Sequence, residues 1–337
     1  MTVTETGAGT SAPPLPGPRG PLSEAVLHVL TRRRPAAPLR AVPAEPFGED
    51  LQLALYVCYE LHYQGFAGVD PGWEWEPELL RLRAALENAF LTALRAALPG
   101  GSDVTGALAE LLVEPADGAG VSHHLRDEGE WWQFREHTAH RSIYHLKEAD
   151  PHAWVIPRLQ GRAKAALVAV EFDEYGGGRA ERMHSRLFAD LMAGIGLDPG
   201  YGRYLEAVPA EMLATVNMMS LFGLHRALRG ALVGHFAAAE ITTAPAARRM
   251  AQALERLGAD PGCALFYTEH IEADAVHEQI IRREVIGDLL DREPGLAADV
   301  VLGIQATGFL EDRLGAHLLA RWRAGRSSLR EPLTADS

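Results

Sequence analysis

Helical periodicity dominates this chain from residue 47 onward, and the apolar–polar alternation of strands is nearly absent. Apolar residues recur every three or four positions, and breaker clusters such as Gly176-Gly177-Gly178 separate one segment from the next. The sequence therefore predicts an all-α bundle of about ten helices. The helical segments are expected at residues 50–66, 77–98, 104–113, 130–147, 157–175, 180–194, 209–228, 229–242, 244–257, 261–290 and 295–324.

The distribution of proline predicts the domain organisation. Nine of the 21 prolines lie in the first 46 residues, a density that breaks helices and strands. Residues 1–46 are therefore expected to form a flexible arm, with at most a short helix at residues 22–33. Residues 47–325 are expected to form the functional domain, and residues 326–337 a flexible tail.

Charge and composition exclude several classes of protein. Lys and Arg number 32 against 45 Asp and Glu, so the net charge of −13 is unsuited to nucleic-acid binding. No stretch reaches the ~18 apolar residues of a membrane span. Cys58 and Cys263 are too few for a disulfide framework and are expected as small core residues. The start of the sequence lacks the pattern of a signal peptide, so a cytoplasmic location is expected.

One helical segment carries a possible metal-binding motif, His270-x-x-x-Asp274-x-x-His277. At about 100° per residue, steps of four and three positions place these three side chains on one stripe of a helix. Two imidazoles and a carboxylate suit iron, manganese or zinc. The alternative interpretation is a solvated, charged helix face. Three donors on one helix leave half of the coordination sphere open, so a metal site needs further carboxylates from other helices.

Candidate carboxylates occur in two other segments. Glu171 and Glu174 lie one turn apart near the end of a predicted helix, and the three glycines that follow allow a sharp reversal. The next segment carries Glu181 and His184, an i, i+3 pair of the kind found in di-iron helical bundles. Glu148 lies at the end of the segment at residues 130–147 and is also able to present its carboxylate inward.

The ordered series Glu148, Glu174, His184, His270, Asp274 and His277 resembles the ligand set of the heme-oxygenase-like di-iron oxidases and oxygenases. The resemblance covers residues 130–290 and implies a heme-oxygenase-like helical bundle. It implies that Glu148, His184 and His277 bind one iron and that Glu174, His270 and Asp274 bind the other. Glu181 matches a further glutamate that some members use as an additional ligand.

The resemblance also implies a reaction, cofactors and partners. Two ferrous ions, O2 and an external electron donor would oxidise a small molecule. The spacing is most similar to that of members that oxygenate nitrogen, so N-oxygenation of an amine or guanidine in specialised metabolism is the first expectation. Oxidative C–C cleavage, decarboxylation and desaturation are alternatives within the same chemistry. A reductase partner and a homodimer are also expected.

Two functions from other classes remain open. A metal-independent, thiaminase-like hydrolase would use a cysteine and a glutamate in the pocket, and a non-catalytic protein would bind iron without turnover. The five residues expected to line a substrate pocket lie within a few turns of the proposed ligands: Trp154, Arg158, Tyr175, Met183 and Phe188. His225 and His235 are expected to be core histidines with satisfied hydrogen bonds.

Overall fold

The computed structural model describes residues 12–32, 42–113 and 118–333, and within them the side chains of all residues except 272–276. The described residues form helices and no strand, as predicted. The α-helices are α1 (Pro21–Leu30), α2 (Glu49–Glu60), α3 (Pro77–Ala97), α4 (Val104–Leu111), α5 (Val121–Asp127), α6 (Trp131–His145), α7 (Asp150–Ala153), α8 (Gly161–Glu174), α9 (His184–Gly194), α10 (Ala210–Leu224), α11 (Arg229–Arg256), α12 (Leu265–Ile280), α13 (Gly287–Arg292) and α14 (Ala297–Arg323).

Three helices, α10, α11 and α14, form the centre of the bundle. Helix α10 is buried around almost its whole circumference, which explains its nearly unbroken apolar sequence. Helices α11 and α14 cross at two glycines. A Cβ atom on Gly234 would lie 2.0 Å from the carbonyl oxygen of Val300, and one on Gly303 would lie 2.0 Å from that of Ala231. Only glycine permits the two backbones to approach this closely.

The predicted segment boundaries differ from the observed ones on either side of α12. Residues Arg229–Arg256 form one continuous helix that contains Pro245, although two segments were expected, at residues 229–242 and 244–257. Proline removes a single backbone hydrogen bond, and packing of the long α11 against α12 and α14 outweighs that loss. After α12, residues Ile281–Ile286 form a π-helical segment, a rare geometry that is frequent near functional sites.

Residues 12–32 of the predicted arm contain the short helix allowed at residues 22–33, observed as α1 (Pro21–Leu30). Helix α1 packs against α2, and its Leu22 and Val26 side chains are fully buried. The Asp50 carboxylate accepts hydrogen bonds from the backbone amides of Leu22 and Ser23, which lie at the start of α1. A carboxylate from another helix thus satisfies the free N–H groups of this helix end. Residues 1–11 and 33–41 of the predicted arm lie outside the described residues.

The predicted flexible tail is also ordered where the structure describes it. Ser328 and Leu329 are buried, and Ser328 donates two hydrogen bonds to Glu136 Oε2, from its amide at 2.8 Å and its hydroxyl at 2.7 Å. Trp322 Nε1 donates to the same oxygen. The buried carboxylate of Glu136 therefore attaches the tail to α6. Residues 334–337 lie outside the described residues.

None of the described helices combines the length and the apolar character needed for a transmembrane span.

Candidate metal centre

Buried acids and histidines from five parts of the bundle meet between α8 and α12. Their positions follow from where the helices begin and end: Glu174 is the last residue of α8, and His184 is the first of α9. Between them, Gly176, Gly177 and Gly178 adopt φ values of 71°, 62° and 80°, which side-chain-bearing residues rarely adopt. The predicted glycine reversal therefore brings a carboxylate and an imidazole together. The other members are Glu148, which follows α6, Glu240 on α11, and His270 and His277 on α12.

The first donor group consists of Glu148, Glu174, His184 and His270, all buried, with ligand atoms within 4.8 Å of one another. Nδ1 of His184 lies 2.8 Å from Glu174 Oε2, and Nε2 of His270 lies 3.7 Å from Glu148 Oε1. The two imidazole rings lie 4.3 Å apart between centroids. Four donors that converge at this separation can surround one metal ion.

The second donor group consists of Glu174, Glu240 and His277, also buried and within the same separation. Nδ1 of His277 lies 3.1 Å from Glu240 Oε2 and 3.9 Å from Glu174 Oε1. Glu174 belongs to both groups, with one carboxylate oxygen directed to each. The two groups are therefore adjacent positions that share a carboxylate.

Hydrogen bonds outside the donor groups orient both histidines of α12. Nδ1 of His270 donates to the carbonyl oxygen of Phe266 at 2.7 Å, so Nε2, on the side of Glu148, is the ring nitrogen without a proton in the neutral imidazole. Nε2 of His277 lies 3.1 Å from Asp173 Oδ2, so a half-exposed carboxylate holds the ring on the side away from Glu240. Such pairing fixes the tautomer of a metal-binding imidazole.

The electrostatic state of these groups follows from burial and proximity. Burial alone would lower the pKa of His277, but the hydrogen bond to Glu240 and the nearby charges raise it to about 9. Burial raises the pKa of Glu240. Burial, with the charges of Glu174 and Glu240, raises the pKa of Glu171 to about 9. Acids concentrated at this density repel one another unless cations neutralise them.

Several buried atoms of the centre lack the hydrogen bonds that such atoms normally make. His184 Nδ1 and Glu148 Oε2 have close polar neighbours at 2.8 and 3.1 Å but no partner in hydrogen-bond geometry. Buried polar atoms are rarely left unpaired in folded proteins. Donor atoms that converge without bonding one another fit a shared cation, and mixed carboxylate and imidazole donors suit iron.

The structure brings together five of the six predicted ligands, with a grouping that differs from the predicted one. His184 joins Glu174 and His270, whereas His277 joins Glu240. Sequence order does not determine this grouping, because it depends on how α8, α9 and α12 are rotated. The sixth predicted residue, Asp274, lies outside the residues whose side chains are described. Glu181, the predicted additional ligand, is exposed in a short 3-10 helix and belongs to neither group.

Glu240 was not predicted as a ligand, although the sequence contains a signal for it. It is the only acid between Gly230 and Ile241, a stretch that is otherwise almost entirely apolar and buried. A charged residue at such a position is costly unless it is paired or binds a metal. Pattern matching to HxxxDxxH does not detect an acid on a different helix.

A cavity of about 770 Å³ opens onto the first donor group. Its wall includes Glu148, Glu174, Glu240 and His270, and it extends between α6, α11 and α14 to the ion pair of Arg141 and Glu311, whose side chains are bonded at 2.8 Å. Further polar side chains and aromatic rings along the wall are His137, Tyr144, His145, His152, His235, Phe236, Phe266 and Thr307. A space of this size suits a small organic molecule.

The predicted substrate-binding residues do not line this cavity in the described part of the chain. Arg158 donates to the carbonyl oxygens of Gly223 and Leu224 at the end of α10, and Tyr175 donates to Asp150. Phe188 packs behind the wall against His145. Trp154 and Met183 are partly exposed and lie off the wall as well. Proximity in sequence to the ligands does not place these five on the cavity wall, which extends toward α11 and α14, and their role in substrate binding stays a prediction.

Comparison with known proteins agrees with this site. Residues 135–312 match the sequence model of a family described as iron-containing redox enzymes, slightly more than half of the chain and all of both donor groups. The chain is also 27% identical over 161 residues to the nitrosourea synthase of Streptomyces achromogenes subsp. streptozoticus. That alignment covers 48% of this chain but 34% of the relative. The family match and the helices together confirm the predicted all-α, heme-oxygenase-like fold.

Proposed function

This chain belongs to the iron-containing redox enzymes, and on that premise we propose that it is a non-heme di-iron oxygenase that uses O2 to oxidise a small organic molecule. Family membership makes it an iron-dependent oxidoreductase. The presence of two irons, the use of O2 and the nature of the substrate are the proposed parts.

The observation that carries the proposal is the position of Glu174 between two donor groups. One of its oxygens faces His184 and the other faces His277, at 2.8 and 3.9 Å. A carboxylate shared in this way is suited to bridge two metal ions. A single metal ion in the first donor group would leave Glu240 and His277, on the other side of Glu174, as buried donors that bind no metal.

The charges of the donor set fit two ferrous ions. Glu148, Glu174 and Glu240 supply three negative charges against the four positive charges of the metals. The predicted ligand Asp274 would supply the fourth and bring the sum to zero. A buried centre without net charge avoids most of the desolvation cost that isolated charges carry.

The groups around the centre orient the metal ligands and the substrate. Phe266 and Asp173 hold the two histidines of α12 in fixed orientations, and the cavity would place the substrate beside Glu148 and Glu174. When bound, ferrous ions supply electrons and open coordination positions for the reduction of O2.

We propose N-oxygenation of an amine or guanidine as the reaction. One oxygen atom of O2 enters an N–H bond to give N–OH, and the other leaves as water, with two electrons and two protons from an external reductant. The similarity to a nitrosourea synthase, whose name denotes a product with oxygen bound to nitrogen, supports this choice.

Oxidative C–C cleavage, decarboxylation and desaturation by the same donors are the alternative outcomes. A separate reductase, a cytoplasmic location and a homodimer are further parts of the proposal.

The hydrolase alternative finds no support in the cavity. Neither Cys58 nor Cys263 lines it among the described residues, and burial raises the pKa of the Cys58 thiol to about 12. A thiol in that state is a poor nucleophile at neutral pH.

Anaerobic titration of the full chain with Fe(II), followed by O2 and a reductant, tests the proposal. We expect two irons per chain and O2 uptake that depends on an added amine or guanidine, with labelled oxygen on nitrogen in the product. His277→Ala should lose one iron, whereas the exposed His28→Ala should keep both. One iron in the unaltered protein contradicts the di-iron centre. Iron without substrate-dependent O2 uptake identifies a storage or binding protein.

A further inference from the structure

A row of aromatic side chains leads from the metal centre along one wall of the cavity. His145 Nδ1 lies 3.1 Å from Glu148 Oε2, and its ring contacts Tyr144 at 5.1 Å between centroids. Tyr144 contacts His152 at 6.0 Å, and His152 contacts His235 at 5.2 Å. All four residues line the cavity. The two histidines at the far end of this row have no role in either donor group.

The hydrogen bonds of His235 define which of its nitrogens carries the proton. The Thr307 hydroxyl donates its single hydrogen to the carbonyl oxygen of Gly303 at 2.8 Å. With its hydrogen directed there, the hydroxyl accepts at its 2.8 Å contact with His235 Nδ1, and the imidazole donates from that nitrogen. His235 Nε2 is thus a hydrogen-bond acceptor only, and this atom is buried without a partner.

His152 has an even larger unsatisfied hydrogen-bonding capacity. Both of its ring nitrogens are buried without a partner, and the ring stacks on Phe236 at 4.3 Å. The residue is 1% exposed, as is His235. Burial lowers the pKa of His152 well below its usual range and that of His235 to about 4, so both rings are neutral near pH 7. Each neutral ring therefore offers one acceptor nitrogen to the cavity, and His152 also carries an unpaired N–H, so a group that enters the cavity is needed to pair with them.

We propose that His152 and His235 form a binding subsite for a substrate group that bears N–H bonds, and that they orient this group along the wall that leads to Glu148. The inference rests on the proposed function and assigns recognition of its substrate to two residues outside the metal centre. His235 Nε2 accepts one hydrogen bond, and His152 accepts a second. A group that only accepts, such as a carboxylate or a tertiary amide, would face the lone pair of His235 and be rejected.

The charge of the cavity wall supports an N–H donor without requiring a charged one. Arg141 and Glu311 neutralise each other through their own ion pair beside the subsite. His235 and His152 add no charge. Recognition therefore depends on hydrogen-bond direction, which a matched pair of uncharged probes can measure.

Pentanamide and N,N-dimethylpentanamide are such a pair, because they share a carbonyl group and an alkyl chain and differ in their N–H bonds. Each is titrated into the full chain, both free of metal and loaded anaerobically with Fe(II), by calorimetry. In metal-free protein labelled with nitrogen-15 at histidine, the resonances of His152 and His235 are followed as well. We expect pentanamide to bind about tenfold more tightly than its dimethyl analogue and to shift both histidines.

Two variants and one control separate recognition from folding. His235→Phe keeps a ring of similar size but removes the acceptor, and should abolish the preference for pentanamide. Thr307→Val removes the acceptor for Nδ1, which frees His235 to carry its proton on Nε2. The preference should then shift toward the dimethyl analogue, an effect that simple loss of packing does not produce. His140→Phe, at an equally buried histidine that does not line the cavity, should leave the preference unchanged.

Equal affinity of the unaltered protein for the two probes, or histidine resonances that pentanamide does not move, would overturn the inference even if every variant failed to fold. Binding of pentanamide by the metal-free chain is independent of iron. If the protein fails to load iron but still prefers pentanamide, the proposed function alone is contradicted. If it loads iron but shows no preference between the probes, the subsite alone is contradicted.

Discussion

Glu240 on α11 and His277 on α12 meet at 3.1 Å, although 37 residues separate them in the chain. The contact places a carboxylate outside the HxxxDxxH motif among the donors of the second group. Its position contrasts with that of Glu181, which is exposed and was expected to be the additional ligand.

Replacement of these two glutamates should therefore have opposite results. Glu240→Ala removes one of the three described donors of the second group, so we expect the protein to retain one iron of two. Glu181→Ala should retain both, because its side chain is in solvent. Iron content after gel filtration measures the difference. Loss of iron from Glu181→Ala with none from Glu240→Ala would reverse the assignment.

The fold and much of the centre were predictable from the sequence because both depend on local patterns. Helical periodicity and breaker residues located most helices, and the glycine reversal after Glu174 explained how it meets His184. A lone acid in an apolar helix marks Glu240 as unusual, but its partner His277 and the grouping of the ligands were not predictable, because they depend on which faces of distant helices meet. The same limit applies to the cavity, whose wall is formed largely by α11 and α14.

The contacts of residues 12–32 and 326–333 with the bundle show a second limit of composition. Proline density predicted a flexible arm, but α1 is held by the Asp50 carboxylate, and Ser328 is held by Glu136. Both contacts join residues that are far apart in sequence. Local composition reports the stiffness of a segment and carries no information on a distant carboxylate that binds it.

Asp173 should strengthen iron binding without touching the metal. Its carboxylate orients His277 through Nε2 at 3.1 Å, and loss of such a partner typically weakens metal affinity by about 10- to 100-fold. We expect Asp173→Ala to raise the dissociation constant of the iron at the second donor group, which contains His277, by a factor in that range. Competition with a chelator measures this constant. Glu269→Ala, which removes a partly exposed partner of Arg182, is the matched control and should leave the dissociation constant unchanged. Equal effects of the two variants would assign the change to surface charge.

The Lys147–Glu60 ion pair should be essential for stability. Both side chains are buried, their charged atoms lie 2.7 Å apart, and Lys147 also lies over the ring of Tyr63 at 4.3 Å. Lys147→Met leaves the Glu60 charge buried among neutral donors, including the Tyr201 hydroxyl and the backbone amide of Gln64. We expect a loss of about 3–5 kcal/mol in the free energy of unfolding, measured with urea.

The double variant Lys147→Met/Glu60→Gln is the control for this prediction. It removes both charges and should recover most of the loss, because the uncompensated carboxylate is then absent. Lys147 directly precedes the donor Glu148, so the single variant should also bind less iron. An unchanged unfolding energy in the single variant would show that the pair contributes nothing.

Acid should destabilise the protein through its buried histidines. Burial lowers the pKa of His140 to about 3 and that of His235 to about 4, from an ordinary value of 6.5. Between pH 6.5 and pH 4 the unfolded chain therefore binds protons that the folded chain does not. Each such histidine contributes stability that is complete above pH 6.5 and is lost as the pH falls, at about 1.4 kcal/mol per pH unit. Glu171, whose pKa is raised, opposes this trend over the same range.

A variant isolates the contribution of one histidine from that opposing effect. The unfolding free energy of His140→Phe should fall less steeply with decreasing pH than that of the unaltered protein, by about 1.4 kcal/mol per pH unit between pH 6 and 4.5. His140 neither lines the cavity nor belongs to a donor group, so metal content does not enter the comparison. The exposed His28→Phe should show the unaltered slope. Parallel curves for all three proteins would mean that His140 is protonated in the folded state, contrary to its burial.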